Sequence, residues 1–506
     1  MVPGMTARPR RNSHASPLRS ASGHAVTVVH LTAEYTPYAR TGGLAEAVQG
    51  LANIQTRQGI PVVVIVPLYR EARNVAKNLV PIGNAVDVYV GPRREQVRFF
   101  RDGDITSGPM VVFVDHPGYF DRDGIYVERG ADYPDNPRRF ALFTRAALEV
   151  IPMVVKGPVL VHAHDWHSAL ALVYMRTYAD LRRRYQGTAA VVSVHNGGYQ
   201  GHFSPAIIGD LGIPPETFNY HQLEWYGKVN LLKGGLAFCD FAVTVSPSHS
   251  SELRTPEGGF GLHAMFASMG ERFQGITNGI DQNIWNPATD TQITANFTRH
   301  DTSNKAKCKA ALQRTFGLPQ RSRVPVFGMC GRLVKQKGFD ILLASGALNA
   351  LDAQFVFLGA GEERYKAGLR SIAARRPQHI SSEFKFTDKI EHRLIAGSDL
   401  LLMPSEYEPC GLTQMRAQRY GALVIGRRVG GISDTVHDDA TGFLFDAFTP
   451  GAFDHAVGRA LQRYNDTAAW RPRMHEAMGR DFGWESSASR YLQLYRRALA
   501  AANPGS

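Results

Sequence analysis

Cysteine is scarce: four residues, Cys239, Cys308, Cys330 and Cys410, serve a chain of 506. Their scatter matches neither a zinc-ligand spacing nor a disulfide framework, so free thiols in a reducing compartment are expected. Long apolar runs are also missing. Nothing approaches the roughly 18 consecutive apolar residues of a membrane helix, and residues 1–24 lack the apolar stretch of a secretory signal. A soluble, cytoplasmic protein with no membrane partner is therefore the expectation. Acidic residues fall short of basic ones, 45 against 57, for a formal charge of +12, which favours an anionic partner such as nucleic acid, membrane phosphate or a nucleotide. Part of that excess sits in a Pro/Ser-rich opening stretch where Arg8, Arg10, Arg11 and Arg19 have no acid to balance them. Residues 1–24 read as a disordered basic tail. It lacks the interleaved aromatics of a nucleic-acid-binding arm, and no nucleic-acid partner is expected.

The rest of the composition is that of a globular enzyme, 44% hydrophobic and 20% charged, and the length favours two large domains. Short, almost continuously apolar runs read as strands buried on both faces: Val26 to Leu31, Pro61 to Val66, Val111 to Val114, Val159 to His162, Ala190 to His195 and Phe241 to Val245. After a polar stretch around residues 288–310, a second series follows at Val324 to Met329, Gln354 to Leu358, Phe384 to Thr387, Asp399 to Met403 and Ala422 to Ile425. Helices are predicted at about 337–349, 411–420 and 451–463. The fold class is α/β, two Rossmann-like halves facing across a cleft, and ligands are expected at the carboxyl ends of the strands. A last helical pattern from Glu485 to Ala501 is expected to dock across both halves.

The loops after these strands carry the chemistry. Glu408 stands in Glu406-Tyr407-Glu408-Pro409-Cys410-Gly411-Leu412-Thr413-Gln414, a strand-to-helix turn suited to gripping a polyhydroxyl ligand beside a phosphate held by the amides after Gly411. Arg332 and Lys337 open another helix, where cations oppose the dipole by roughly 0.3–1 kcal/mol each unless an anion binds; they read as a pyrophosphate clamp, with Lys335 solvated. Arg40-Thr41-Gly42-Gly43 precedes a predicted helix from Leu44. Its glycines clear the way for a phosphate and Arg40 adds a positive fork; a tight turn with a surface arginine is the other reading. His162, His164, Asp165 and His167 superficially look like a metal cluster. Strand residues alternate faces and no further ligand completes the set, so no metal is expected; Asp165 is read as a sugar-hydroxyl partner and some of the histidines as structural. His195 enters a glycine-rich loop after its strand and is a substrate-side candidate. Asp121-Arg122-Asp123, a short acidic pattern, is discounted.

Taken together and in order, these segments resemble the bacterial glycogen synthases and plant starch synthases, over most of residues 26–500. Leu232-Lys233-Gly234-Gly235-Leu236, Thr244-Val245-Ser246-Pro247-Ser248, Thr255 to Leu262, Asn278-Gly279-Ile280-Asp281 and Gly430 to Val436 add to the match. The resemblance implies the GT-B architecture, with 25–273 as acceptor-side domain, 274–483 as nucleotide-sugar domain and 484–506 as a helix packing back across both. It implies transfer of glucose from ADP-glucose to an α-1,4-glucan with retention of configuration and no cofactor. It assigns Arg332 and Lys337 to the diphosphate, Glu408 to the transferred glucose, Gly411, Leu412 and Thr413 to the phosphate-binding turn, His195 and Asp165 to the glucose and acceptor subsite, and Asn278 to the interdomain crossover near the nucleotide. Arg40, where the family usually has Lys, leaves donor geometry open. Gly197 and Gly198, where bulkier residues are usual, imply a looser acceptor loop. UDP-glucose as donor, maltooligosaccharide products and a catalytically weak glucan- or nucleotide-binding regulator stay open. The second acid that related transferases place eight positions after the first is here Arg416.

Overall fold

The computed structural model describes residues 18–503 apart from 21 and 129. Two sheets organise it. The first has ten strands, and along its main path run Phe273–Gly275, Phe241–Thr244, Ala189–Val194, Val159–His164, Thr27–Leu31, Val62–Pro67, Met110–Asp115, Arg93–Asp102 and Leu79–Pro81. From Phe273–Gly275 to Met110–Asp115 every pairing is parallel. The runs Val62–Pro67 and Ala189–Val194 are buried at every position, as helices on both faces require. The second sheet has six parallel strands in the order Ile380–Glu383, Gln354–Leu358, Val326–Cys330, Leu400–Met403, Leu423–Arg427 and Gly442–Phe445.

Several expectations are corrected. The strand expected at Phe384 to Thr387 lies earlier, at Ile380–Glu383, because Thr387 caps the next helix: its Oγ1 accepts the Ile390 N–H at 3.3 Å. The helix expected over 337–349 is two short ones, Phe339–Leu343 and Gly346–Ala350, separated where Ser345 caps the second. The first sheet is not wholly parallel. Arg93–Asp102 pairs antiparallel with Met110–Asp115 and alternates buried with exposed positions, so its charged residues hide it from a search for apolar runs. Of the tail expected to be disordered, residues 1–17 lie outside the described residues. From residue 18 the chain is packed: Leu18 is buried and Arg19 bridges Ala25.

The first hydrophobic core draws on residues from Leu18 to Ile276 and resumes at Trp484. Two further clusters cover the faces of the second sheet. The terminal helix, Trp484–Ala502, packs its apolar stripe on the first core, and at its start Ser487 Oγ donates to the Thr277 carbonyl at the crossover between the domains. Trp484, Ala488, Tyr491, Leu492, Tyr495 and Ala498 share one stripe at helical spacing, and all are buried. Its entry is fixed by Gly50 on the helix Gly43–Arg57, where an added Cβ would lie 2.1 Å from Trp484 Nε1. Gly to Ala inside a helix ordinarily stabilises by about 1 kcal/mol. Here Gly50→Ala is expected to lower stability by about 1–3 kcal/mol instead, because the indole must shift; denaturant unfolding of the two proteins reads the sign.

Candidate active site

The strand ends of the second sheet bring one half of the site together. Gly338, at φ 77°, closes the loop after Val326–Cys330 against Pro404: a Cβ on it would sit 1.9 Å from the Pro404 carbonyl oxygen. The Glu406 N–H donates to the Gln336 carbonyl at 2.8 Å, and Gln336 Nε2 donates to the Tyr407 carbonyl at 3.2 Å. Two loops 71 residues apart are thereby knitted, and Lys337 Nζ reaches Glu408 Oε2 at 2.5 Å, with Ser405 Oγ donating to the same oxygen at 3.1 Å. Glu408 is buried, whereas the Lys337 side chain keeps 23% of its exposure. Arg332 is exposed and turns to the first domain, 3.5 Å from the Tyr199 hydroxyl. Lys335, expected to be solvated, makes an exposed pair with Glu406 at 3.2 Å. Gly411, at φ 69°, and Leu412 lead into the short helix Thr413–Arg419, where Thr413 is a hydrogen-bond partner of the Cys330 thiol. The Asn278 N–H is held against the Cys410 sulfur, which ties the crossover to this turn.

The first domain supplies the other half. Asp165 sits at φ 56° between Val159–His164 and the helix Trp166–Thr177. Its Oδ1 accepts the His195 N–H at 2.7 Å, and burial pushes its carboxyl up to about 7. Behind His195 lies a file of imidazoles. His195 Nε2 meets His164 Nδ1 at 2.9 Å, His164 Nε2 meets His30 Nδ1 at 2.9 Å, and His30 Nε2 meets Gln55 Oε1 at 2.8 Å. With the amide oxygen as terminal acceptor, each ring donates from Nε2 and accepts at Nδ1. All three are then neutral, and His195 keeps Nδ1 as its own acceptor. Desolvation acts in the same direction, lowering His30 to about 4 and His195 to about 3.

His162 bonds Tyr495 of the terminal helix at 2.8 Å and Ser193 at 2.7 Å. His30, His162 and His164 have nitrogens close enough together to suit a metal. All six are already hydrogen-bonded, so an ion would have to break that network. His167 packs between Trp166 and Tyr126, with ring centroids 4.1 and 4.6 Å away. The discounted Asp121 and Asp123 are neutralised by Arg70 at 2.8 and 2.6 Å.

The glycine loop departs from expectation. The Thr41 N–H and hydroxyl donate to Glu34 at 2.7 and 2.6 Å, and the Gly42 N–H donates to it at 3.2 Å. The amides expected to face a phosphate are met by a buried carboxylate of the same chain, which suits the positive end of the helix Gly43–Arg57. Gly43 approaches the opposite domain, where a Cβ would lie 3.9 Å from Leu412 Cδ1. Arg40 forms ion pairs with Glu46 and Asp388, each at 3.3 Å, and so bridges the domains instead of standing free as an anion clamp.

Sequence reasoning passed over this bridge. Arg416 is buried 4.3 Å from the centroid of the Trp285 ring, donates to Glu391 at 2.9 Å and pairs with Glu46 of the first domain. With Arg40, Asp388 and Trp484 these residues line an interdomain cavity of about 450 Å³. Two further links cross nearby: Ser246 Oγ donates to the Pro409 carbonyl at 2.6 Å, and Ser248 Oγ donates to Asp434 at 2.7 Å. Pairings between charges hundreds of residues apart leave no local pattern in the sequence.

A GT-B fold whose facing loops present cations and carboxylates to a cleft defines a glycosyltransferase. Residues 27–268 match the model of the starch synthase catalytic domain, and residues 315–476 match that of glycosyl transferases group 1. A glycogen synthase of an Anaeromyxobacter species is 40% identical over 94% of this chain and 99% of its own. Glycogen synthase 2 of Geobacter sulfurreducens is 39% identical over 93% and 98%. The catalytic domain of starch synthase IV from Arabidopsis thaliana, solved bound to ADP and acarbose, superposes with a TM-score of 0.86 at 32% identity, covering 94% of this chain and 99% of that one. The chain belongs to the glycogen and starch synthase family.

The buried imidazoles make stability pH-dependent. His30, His167 and His195 have folded values of about 4, 3 and 3, below the ordinary 6.5. Each therefore contributes stability that is full above about 6.5 and is lost as the pH falls toward the folded value. Asp165, raised from 3.8 to about 7, acts in the opposite sense and favours folding as the pH falls across that interval. Three histidines outweigh one acid, so the thermal midpoint is expected to fall between pH 7 and pH 5; differential scanning calorimetry at both values checks it.

Proposed function

We propose that the protein transfers glucose from ADP-glucose to the non-reducing end of an α-1,4-glucan, with retention of configuration. The observation that carries this reading is the Lys337–Glu408 pair at 2.5 Å, with Arg332 of the same domain reaching the Tyr199 hydroxyl at 3.5 Å in the loop that follows His195. The plant relative at 32% identity was solved with ADP and with acarbose, a glucan-like ligand, which supports both the donor base and the acceptor class. In such a transfer the sugar becomes cationic while the diphosphate gains negative charge. Arg332 and Lys337 neutralise that charge, and Glu408, held by Lys337 and Ser405, takes sugar hydroxyls. His195, acceptor at Nδ1 and anchored through Nε2, lies on the sugar side with Asp165. The two acids of a retaining glycosidase act as nucleophile and acid; here Glu408 is paired to a lysine and Asp165 to a backbone amide, which supports a front-face route in which the departing phosphate deprotonates the acceptor hydroxyl. Domain closure across the Arg416 and Arg40 bridges keeps water from competing.

Lys337→Ala and Glu408→Ala are each expected to lower kcat by about two orders of magnitude, corresponding to roughly 3 kcal/mol of lost transition-state stabilisation, with the far-ultraviolet circular dichroism unchanged. Initial rates on glycogen with ADP-glucose and UDP-glucose in competition complete the test. ADP-glucose should dominate; equal use of both donors, or near-normal rates in both variants, would contradict the assignment.

A further inference from the structure

Among the described residues, four other than glycine stand at positive φ: Asp165, Tyr226, Phe260 and Asp439. Such backbone costs free energy and gathers at functional sites. Asp165 is in the site already described. Tyr226 and Phe260 lead away from it, on the acceptor-side domain.

Tyr226-Gly227 is the two-residue loop of a hairpin in which Glu224–Trp225 pairs antiparallel with Lys228–Asn230. Both loop residues have positive φ, 45° and 76°, as a type I′ turn requires. Asn or Gly fits the first position; a tyrosine there is strained, and the residue is 78% exposed, so little burial offsets the strain. Its ring meets Trp225 edge-on at 4.8 Å. Trp225 Nε1 donates to the Gly261 carbonyl at 3.1 Å, next to Phe260. Phe260, at φ 48°, meets Tyr407 at 5.0 Å between centroids, and Tyr407 precedes Glu408. On the other flank Tyr199, 49% exposed, lies beside Arg332. Aromatic rings thus run from the reaction centre to the protein surface.

We propose that Tyr226, Trp225 and Phe260 form a rail for the distal glucosyl units of the acceptor, so that the enzyme favours long α-1,4-glucans over short ones. The C–H face of a pyranose is apolar and packs on aromatic rings, whereas its hydroxyls remain in water. The strained turn holds the outermost ring out from the domain surface. This rests on the proposed glucan acceptor and deepens it.

The test is acceptor-length discrimination in Tyr226→Asn and Tyr226→Phe, from initial rates with ADP-glucose and maltotriose or maltoheptaose, alongside calorimetric binding of maltoheptaose without donor. Asn suits the turn, so the thermal midpoint of Tyr226→Asn should equal or exceed that of the wild type. Its KM and Kd for maltoheptaose should rise about five- to tenfold, a typical worth for one aromatic contact, with KM for maltotriose within twofold. Tyr226→Phe should match the wild type. Unchanged maltoheptaose constants in Tyr226→Asn, or an equal rise on both acceptors, would overturn the rail. A wild type that binds maltoheptaose through Tyr226 yet transfers to no acceptor would sink the proposed activity and leave the rail standing.

Discussion

A lysine and a glutamate 71 residues apart meet at 2.5 Å where two neighbouring strands of the second sheet release their loops. Glu408 is buried, and a buried carboxylate deprived of its paired cation costs on the order of 3–5 kcal/mol. That constraint arranges the rest. The loop after Val326–Cys330 must turn back at Gly338 to bring Lys337 over, and the loop after Leu400–Met403 must present Glu408 before the next helix begins. Arg332, four residues beyond Met329's neighbour Gly328, is then carried to the rim facing the first domain.

The opposing domain is fixed by different means. Its site residues hang on a buried, neutral file of histidines that ends on Gln55, and Gln55 Nε2 donates to Tyr495 at 3.1 Å. The terminal helix Trp484–Ala502 therefore supports the first domain's side of the cleft, although it follows the second domain in sequence. Neutral rings require donors and acceptors to alternate, which leaves each imidazole one orientation. Arg416, in the position where related transferases carry a second acid, spans the domains instead. Held between Glu391 and Glu46, it clasps the two domains together.

Much of this was legible in the sequence. Apolar strand runs and the motifs after them located Arg332, Lys337, Glu408, Asp165 and His195, because strand-end loops in doubly wound folds are where ligands bind. Arg93–Asp102 escaped because this antiparallel strand alternates buried with exposed positions and carries arginines. The roles of Thr41, Gly42 and Arg40 changed because their partners, Glu34, Glu46 and Asp388, are set by tertiary approach, and no local spacing encodes that. Tyr226 was invisible for a related reason: a Tyr-Gly pair announces a turn only weakly, and the sign of φ emerges from the strands on either side.

The central claim is that cations of the second domain hold the diphosphate of the donor. Isothermal titration of ADP into the wild type and Arg332→Met tests it without any turnover. At least a tenfold weaker affinity in the variant is the result predicted, since a charge-assisted contact to phosphate is worth roughly 1.5–3 kcal/mol. Equal affinity in the two proteins would contradict it.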